Sequence, residues 1–153
     1  MKNELSADEI RLITVLRQNA REKLTSISRK IQLPISTIHE KIKRYSGGII
    51  KRHTILLDHA MLGYPIKTHT MLKIDNGEKA KIIESMLKNR HIDNISRINN
   101  SFDIMMDGVF RSLNEAEEFF EKMQSEHKIR KLETYYVLDE IKREGFMTNE
   151  LLY

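Results

Sequence analysis

The sequence predicts an α+β protein of two units, and three observations predict it. Apolar residues recur at helical spacing through the first 45 positions, whereas from Tyr64 onward strand-like alternation and helical spacing succeed one another as strand-helix-strand, twice over. Charge divides at the same place. Residues 1–64 contain 12 Lys+Arg against 6 Asp+Glu, and residues 65–153 contain 14 against 16, so the net charge of +4 hides a basic first part and a slightly acidic second. The basic part is the one suited to a polyanion, and the acidic remainder has some other task.

Composition narrows the function further. A chain of 153 residues can hold one mid-sized core or two small ones. There is no cysteine, which excludes disulfides and thiolate chemistry. No apolar run approaches transmembrane length, and the opening MKNELSADE lacks the apolar centre of a signal peptide. The expectation is a soluble cytoplasmic protein.

In chain order, Ser6-Ala7-Asp8-Glu9 reads as a capping box, the Ser6 hydroxyl accepting from the Glu9 amide while the Glu9 carboxylate reaches back to the Ser6 amide. A helix follows to about Gln18, its faces marked by Ile10, Ile13 and Leu16 and widened by Leu12 and Val15. Leu24 to Arg44 (LTSISRKIQLPISTIHEKIKR) then reads as two short helices around a turn at Gln32-Leu33-Pro34. Leu24, Ile27 and Ile31 give the first a buried face; Ile38, Ile42 and Tyr45 give the second one. The other side of the second helix carries Thr37, His39, Glu40, Lys41, Lys43 and Arg44. Charged helix faces are most often merely solvated, but this one has what a major groove requires, donors and acceptors early and cations late. Ser36, Thr37, His39 and Glu40 are the candidates for base edges; Lys41, Lys43, Arg44, Lys51 and Arg52 are the candidates for phosphates.

After Gly47-Gly48, which can end a helix and turn the chain, Ile49 to Leu57 is β-branched and reads as an extended wing with Lys51, Arg52 and His53 near its start. Residues 1–63 are thus expected to be a winged helix-turn-helix. At this point the text resembles the amino-terminal half of the Lrp/AsnC (feast/famine) transcription regulators. The matching segments are DEIRLITVLRQNAR from Asp8, LTSISRKIQLPISTIHEKIKR, and GGIIKRHTILLDHAMLGY with its Leu57-Asp58 through Leu62-Gly63 ending. Ser28 stands where that family usually has alanine, Gln32 where its turn is often glycine, and the link Tyr45-Ser46-Gly47-Gly48 is one residue short.

The second part reads as a strand from Tyr64 to Ile74, a turn at Asp75-Asn76-Gly77, and a helix from Glu78 to Leu87 with Ile82, Ile83, Met86 and Leu87 inward. Strands at Ile92 to Ile98 and Phe102 to Phe110 follow, then a helix capped by Asn114 that buries Ala116, Phe119, Phe120 and Met123, and a last strand from Ile129 to Leu138. A βαββαβ order folds as a ferredoxin-like sandwich with both helices on one sheet face. The other face, with Met71, Met105, Val109, Tyr135 and Val137, is too apolar to stand in water and calls for a partner. The family resemblance extends here and implies an effector and oligomerisation domain over 64–140, sheets packed face to face in a homodimer, assemblies up to octamers, and an amino-acid effector. Its T-G-x-[YFW]-D element is matched by Asn99-Asn100-Ser101-Phe102-Asp103, the candidate effector residues, with Asn100 in place of the glycine. Residues 141–153 read as a C-terminal tail without an assigned role.

Other chemistry finds little support. No histidine pair has ligand spacing on a helix, Asp103 and Asp107 are too far apart along a strand to work as an acid-base pair, and there is no glycine-rich phosphate loop. No cofactor, no metal and no membrane partner are expected. The reading is a sequence-specific regulator of transcription that binds double-stranded DNA and is not an enzyme. Two alternatives share the fold or the charge: a sirohaem decarboxylase-like tetrapyrrole enzyme, and an architectural protein that coats any duplex.

Overall fold

Three helices, α1 (Ala7–Gln18), α2 (Leu24–Ile31) and α3 (Ile35–Tyr45), open the chain in the computed structural model, which describes residues 5–149 and Leu151. The capping box starts α1 as its residues dictate: Ser6 N–H donates to Glu9 Oε2 at 2.9 Å and Glu9 N–H to Ser6 Oγ at 3.4 Å. The faces set by apolar spacing meet in one core of Leu12, Ile27, Ile31, Ile38 and Tyr45, with Leu24, Leu33 and Ile42 packed around it. Truncating any of the fully buried members to alanine is worth about 2–5 kcal/mol. The turn between α2 and α3 needs a left-handed residue, and Gln32 supplies it at φ 57° where glycine would be the easier choice. Ser28 helps to fix it, its hydroxyl donating to the Leu33 carbonyl at 2.6 Å.

Gly47, at φ 79°, turns the chain away from α3 as expected. The extended wing is not formed as a strand. Apart from a single bridge between Ser46 and Ile50, residues 51–58 have no regular structure, and their side chains are exposed. β-branching supplies strand propensity, but a strand also requires a hydrogen-bonding neighbour, and the segment has none in the sheet.

Four antiparallel strands form the second unit: β1 (Ile66–Ile74), β2 (Ile92–Arg97), β3 (Ile104–Phe110) and β4 (Ile129–Tyr136), in the order β2-β3-β1-β4. Helices α4 (Lys79–Leu87) and α5 (Leu113–Glu126) complete the βαββαβ order. Alternation along β1 and β3 sends Leu72, Ile74, Ile104, Met106 and Phe110 into the same core as Ile82, Met86, Ala116, Phe120 and Met123 of the helices. Gly108 lies in this layer because a Cβ there would meet Phe110 at 2.7 Å and the Thr68 hydroxyl at 2.9 Å.

Each strand is one or two residues shorter at one end than in the sequence reading, since pairing stops before the alternation does, and two further details differ. Leu87 is 72% exposed, since the last turn of α4 carries it past the inward face. The N-cap of α5 is Ser112, whose hydroxyl accepts from the Glu115 amide at 3.1 Å, and Asn114 lies inside the helix.

The chain divides into Met1–Leu56 with Ile141–Tyr153, and Leu57–Glu140. Residues 141–149 therefore belong with the helices, where Arg17 donates from Nε to the Phe146 carbonyl at 3.1 Å and pairs with the Glu144 carboxylate at 2.8 Å. Gln18 adds a bond to the Thr148 carbonyl at 2.8 Å. Residues 58–63 close a local turn, with Asp58 Oδ1 accepting from the Met61 amide at 3.0 Å and Gly63 at φ 85°.

Candidate nucleic-acid interface

At 3.6 residues per turn the buried Ile38 and Tyr45, with the partly buried Ile42, fix which side of α3 faces out. Ser36, His39, Glu40, Lys43 and Arg44 are exposed on that side. Thr37 and Lys41, placed with them by the sequence reading, are half-buried on the flank toward α1, because their positions lie between the outer face and the core. Lys51 and Arg52 are exposed in the segment after α3.

The flank of α3 carries a cluster that spacing could not reveal. Glu9 Oε1 accepts from the Tyr45 hydroxyl, from Arg44 Nη2 at 3.2 Å and from Lys41 Nζ at 3.4 Å, while its Oε2 holds the Ser6 amide. The Arg44 guanidinium also lies 5.3 Å from the centre of the Tyr45 ring. Chiefly through the Tyr45 hydroxyl, and then through the Ser6 amide, the Glu9 carboxyl is held down to about 2. Burial, and next the Glu9 carboxylate, push the Tyr45 hydroxyl up. Lys41 and Arg44 differ in what this leaves free: the Lys41 side chain is 19% exposed and the Arg44 side chain 65%. Of the predicted phosphate-binding cations, Lys41 is thus turned inward, while Lys43, Arg44, Lys51 and Arg52 face solvent.

In the second unit the candidate effector residues form the hairpin between β2 and β3. Asn100 takes φ 69°, the left-handed turn of the missing glycine, which asparagine tolerates. Asp103 is occupied structurally: its Oδ2 accepts from the Ile74 amide at 2.9 Å, and its Oδ1 lies 2.9 Å from Lys79 Nζ and 3.6 Å from Lys73 Nζ. The Ile74 amide first, and then the Lys79 ammonium, hold its carboxyl at about 2. Phe102 lies under Lys131, 5.1 Å from ring centre to Nζ. Ser101 and Asn99 are exposed. The hairpin thus presents backbone and amide groups, with its acidic group already neutralised.

The sheet face away from the helices carries Met71, Met105 and Val109, half-buried, and Tyr135, 53% exposed. It is more polar than its apolar residues suggested. His69 Nδ1 lies 2.6 Å from Asp107 Oδ1, and Asn94 donates to Asp107 Oδ2 at 3.0 Å, so Asp107 bridges three strands. Among the described residues no helix is long and apolar enough to cross a membrane.

The family model described as the Lrp/AsnC ligand binding domain matches residues 70–146. An uncharacterized HTH-type transcriptional regulator of Pyrococcus abyssi is 27% identical over 147 residues, covering 94% of this chain and 92% of its own. The HTH-type transcriptional regulator FL11 of the same organism is 26% identical over 137 residues, covering 88% and 91%. Among solved structures, the transcriptional regulator NMB0573 of Neisseria meningitidis in complex with L-Met superposes with a TM-score of 0.85 at 19% identity, over 92% of this chain and 94% of its own. AsnC of E. coli superposes with a TM-score of 0.83 at 16% identity, over 94% and 99%. At such identities the two superpositions speak for the fold.

Proposed function

We propose a mechanism from one premise: this chain belongs to the Lrp/AsnC family of transcription regulators. The helical unit is its helix-turn-helix reader of double-stranded DNA. The observation that carries this reading is the sidedness of α3, which buries Ile38 and Tyr45 and leaves Ser36, His39, Glu40, Lys43 and Arg44 exposed in one strip. Ser36, His39 and Glu40 lie toward the start of the helix and suit base edges. Thr37, half-buried, approaches them from the side. Lys43 and Arg44 near the end, with Lys51 and Arg52 beyond it, suit phosphates, and the exposed segment 49–57 serves as the wing against the backbone.

The sheet unit assembles and senses. Its outer face, with Met71, Met105, Val109 and Tyr135 around the His69 and Asp107 pair, packs on the same face of a second copy, giving a dimer or an assembly of dimers in the cytoplasm. Two heads then meet half-sites about 34–36 Å apart, or a multiple of that. The effector is an amino acid, as the L-Met complex of the Neisseria regulator suggests, bound at the Asn99 to Asp103 hairpin. Because Asp103 is neutralised by two lysines, the ligand ammonium finds backbone carbonyls and the Asn99 and Asn100 amides there. No chemistry is assigned to this site, and the chain is read as a regulator without enzymatic activity.

Charge reversal tests the reading. Lys43→Glu with Arg44→Glu should abolish binding to a promoter duplex while leaving the oligomer unchanged by size-exclusion chromatography. Dissociation of the oligomer would place those residues in a protein interface and defeat the assignment.

A further inference from the structure

Glu9 begins as a helix cap, but a cap requires only the Ser6 amide, and this carboxylate also gathers the Tyr45 hydroxyl, Lys41 and Arg44 from α3. Resting on the DNA-binding reading, we propose that Glu9 is a positioning residue that sets the electrostatic part of DNA affinity: it holds Lys41 off the phosphates, so that each head makes one phosphate contact fewer on any duplex. Three facts lead there. Lys41 Nζ is 3.4 Å from Glu9 Oε1 and its side chain is 19% exposed, so its charge is satisfied within the protein. Its position is nevertheless next to the exposed strip of α3, and a four-carbon stem released from Glu9 can swing the ammonium onto that strip. Arg44 shares the same carboxylate but is 65% exposed, so it still reaches outward from a fixed base.

The consequence follows from how the two kinds of binding are built. Non-specific affinity comes almost wholly from neutralised phosphates, whereas specific affinity adds base contacts that do not change with one more cation. Withholding one lysine per head therefore weakens binding to every duplex by a similar factor, makes it less sensitive to salt, and leaves the base contacts untouched. The carboxylate itself also repels phosphate. Glu9, 36 residues from Tyr45 in the chain, is thus a place where the first helix sets the charge that the third presents.

The test is Glu9→Gln in the full-length protein. Glutamine at this position can still complete the capping box with its carbonyl oxygen, while its amide nitrogen, in place of Oε1, donates to the Tyr45 hydroxyl oxygen, so the change removes the charge and retains the cap. Binding to a promoter duplex and to a scrambled duplex is followed by fluorescence anisotropy from 50 to 200 mM salt. The expected result is tighter binding to both duplexes by a similar factor and a salt slope steeper by about 0.9 per head. Adding Lys41→Ala to this variant should return the slope to its original value. An unchanged slope in Glu9→Gln, or weaker binding to both duplexes, would overturn the proposal. The single variant Lys41→Ala is a check independent of Glu9: the slope should not move, and a slope shallower by about 0.9 per head would place Lys41 on DNA already. If the unaltered protein binds neither duplex, the DNA-binding reading fails and this proposal fails with it.

Discussion

Replacing Lys43 by alanine should remove a phosphate contact from each DNA-binding head and nothing from the fold. Lys43 is exposed in the last turn of α3, on the side opposite the buried Ile38 and Tyr45, so its ammonium has solvent or phosphate to meet. Each phosphate contact contributes about 0.9 to the slope of log K against log salt, so a complex with two heads loses about 1.8. Across a fourfold rise from 50 to 200 mM salt, the unaltered protein should therefore lose about 12-fold more affinity than the variant. Stability should stay within about 0.5 kcal/mol, as for other exposed positions. Anisotropy titrations at four or five salt concentrations read the slope, and urea melts read the stability. Lys122→Ala on the exposed side of α5 changes the net charge equally and should leave the slope alone. Equal slopes for the Lys43 variant and the unaltered protein, or equal effects of the Lys43 and Lys122 changes, would refute the assignment of α3 to the groove.

Three further outcomes follow from particular contacts. Asp103 is held at about 2 by the Ile74 amide and Lys79, below its ordinary 3.8, so its contribution to stability is complete above about pH 4 and is lost as pH falls toward 2; Asp103→Asn should flatten acid unfolding in that window as followed by circular dichroism, and an unaltered acid profile would contradict it. Gly108→Ala places a methyl 2.7 Å from Phe110 and 2.9 Å from Thr68, both buried, and should cost about 1–3 kcal/mol in a urea melt. Arg17→Ala removes bonds to the Phe146 carbonyl and to Glu144, and should hasten proteolysis within residues 141–149, with a cleavage rate equal to that of the unaltered protein counting against the contact.

Much of this architecture was legible because it depends on periodicity. The three helices of the first unit, the turn at Gln32 and the capping box at Ser6 follow from local spacing and local hydrogen bonds. The alternation from Ile66 to Ile74 likewise separates the buried Thr68, Thr70, Leu72 and Ile74 from the other face. Where several residues could serve one role, spacing could not choose. Ser112 and Asn114 are both good caps, and only the backbone places Ser112 at the first turn of α5. Ile49 to Leu57 has strand propensity, but the neighbour a strand needs is not encoded in the segment itself. The same holds for charge. Lys41 looked like any other cation of α3, and Glu9 like any other cap, until the fold brought residues 32 apart in sequence to 3.4 Å. The tail offered no periodicity, so its contact with Arg17 had no signal to read.

The central claim is that the exposed strip of α3 reads DNA sequence, and its most direct test compares the protein's own promoter with a scrambled duplex of equal length under a salt titration. Preference for the promoter at every salt concentration, with a steep slope on both duplexes, is the predicted result. Equal affinity for the two would assign the strip to phosphates alone and contradict sequence reading, and no binding to either would remove DNA as the partner of this unit.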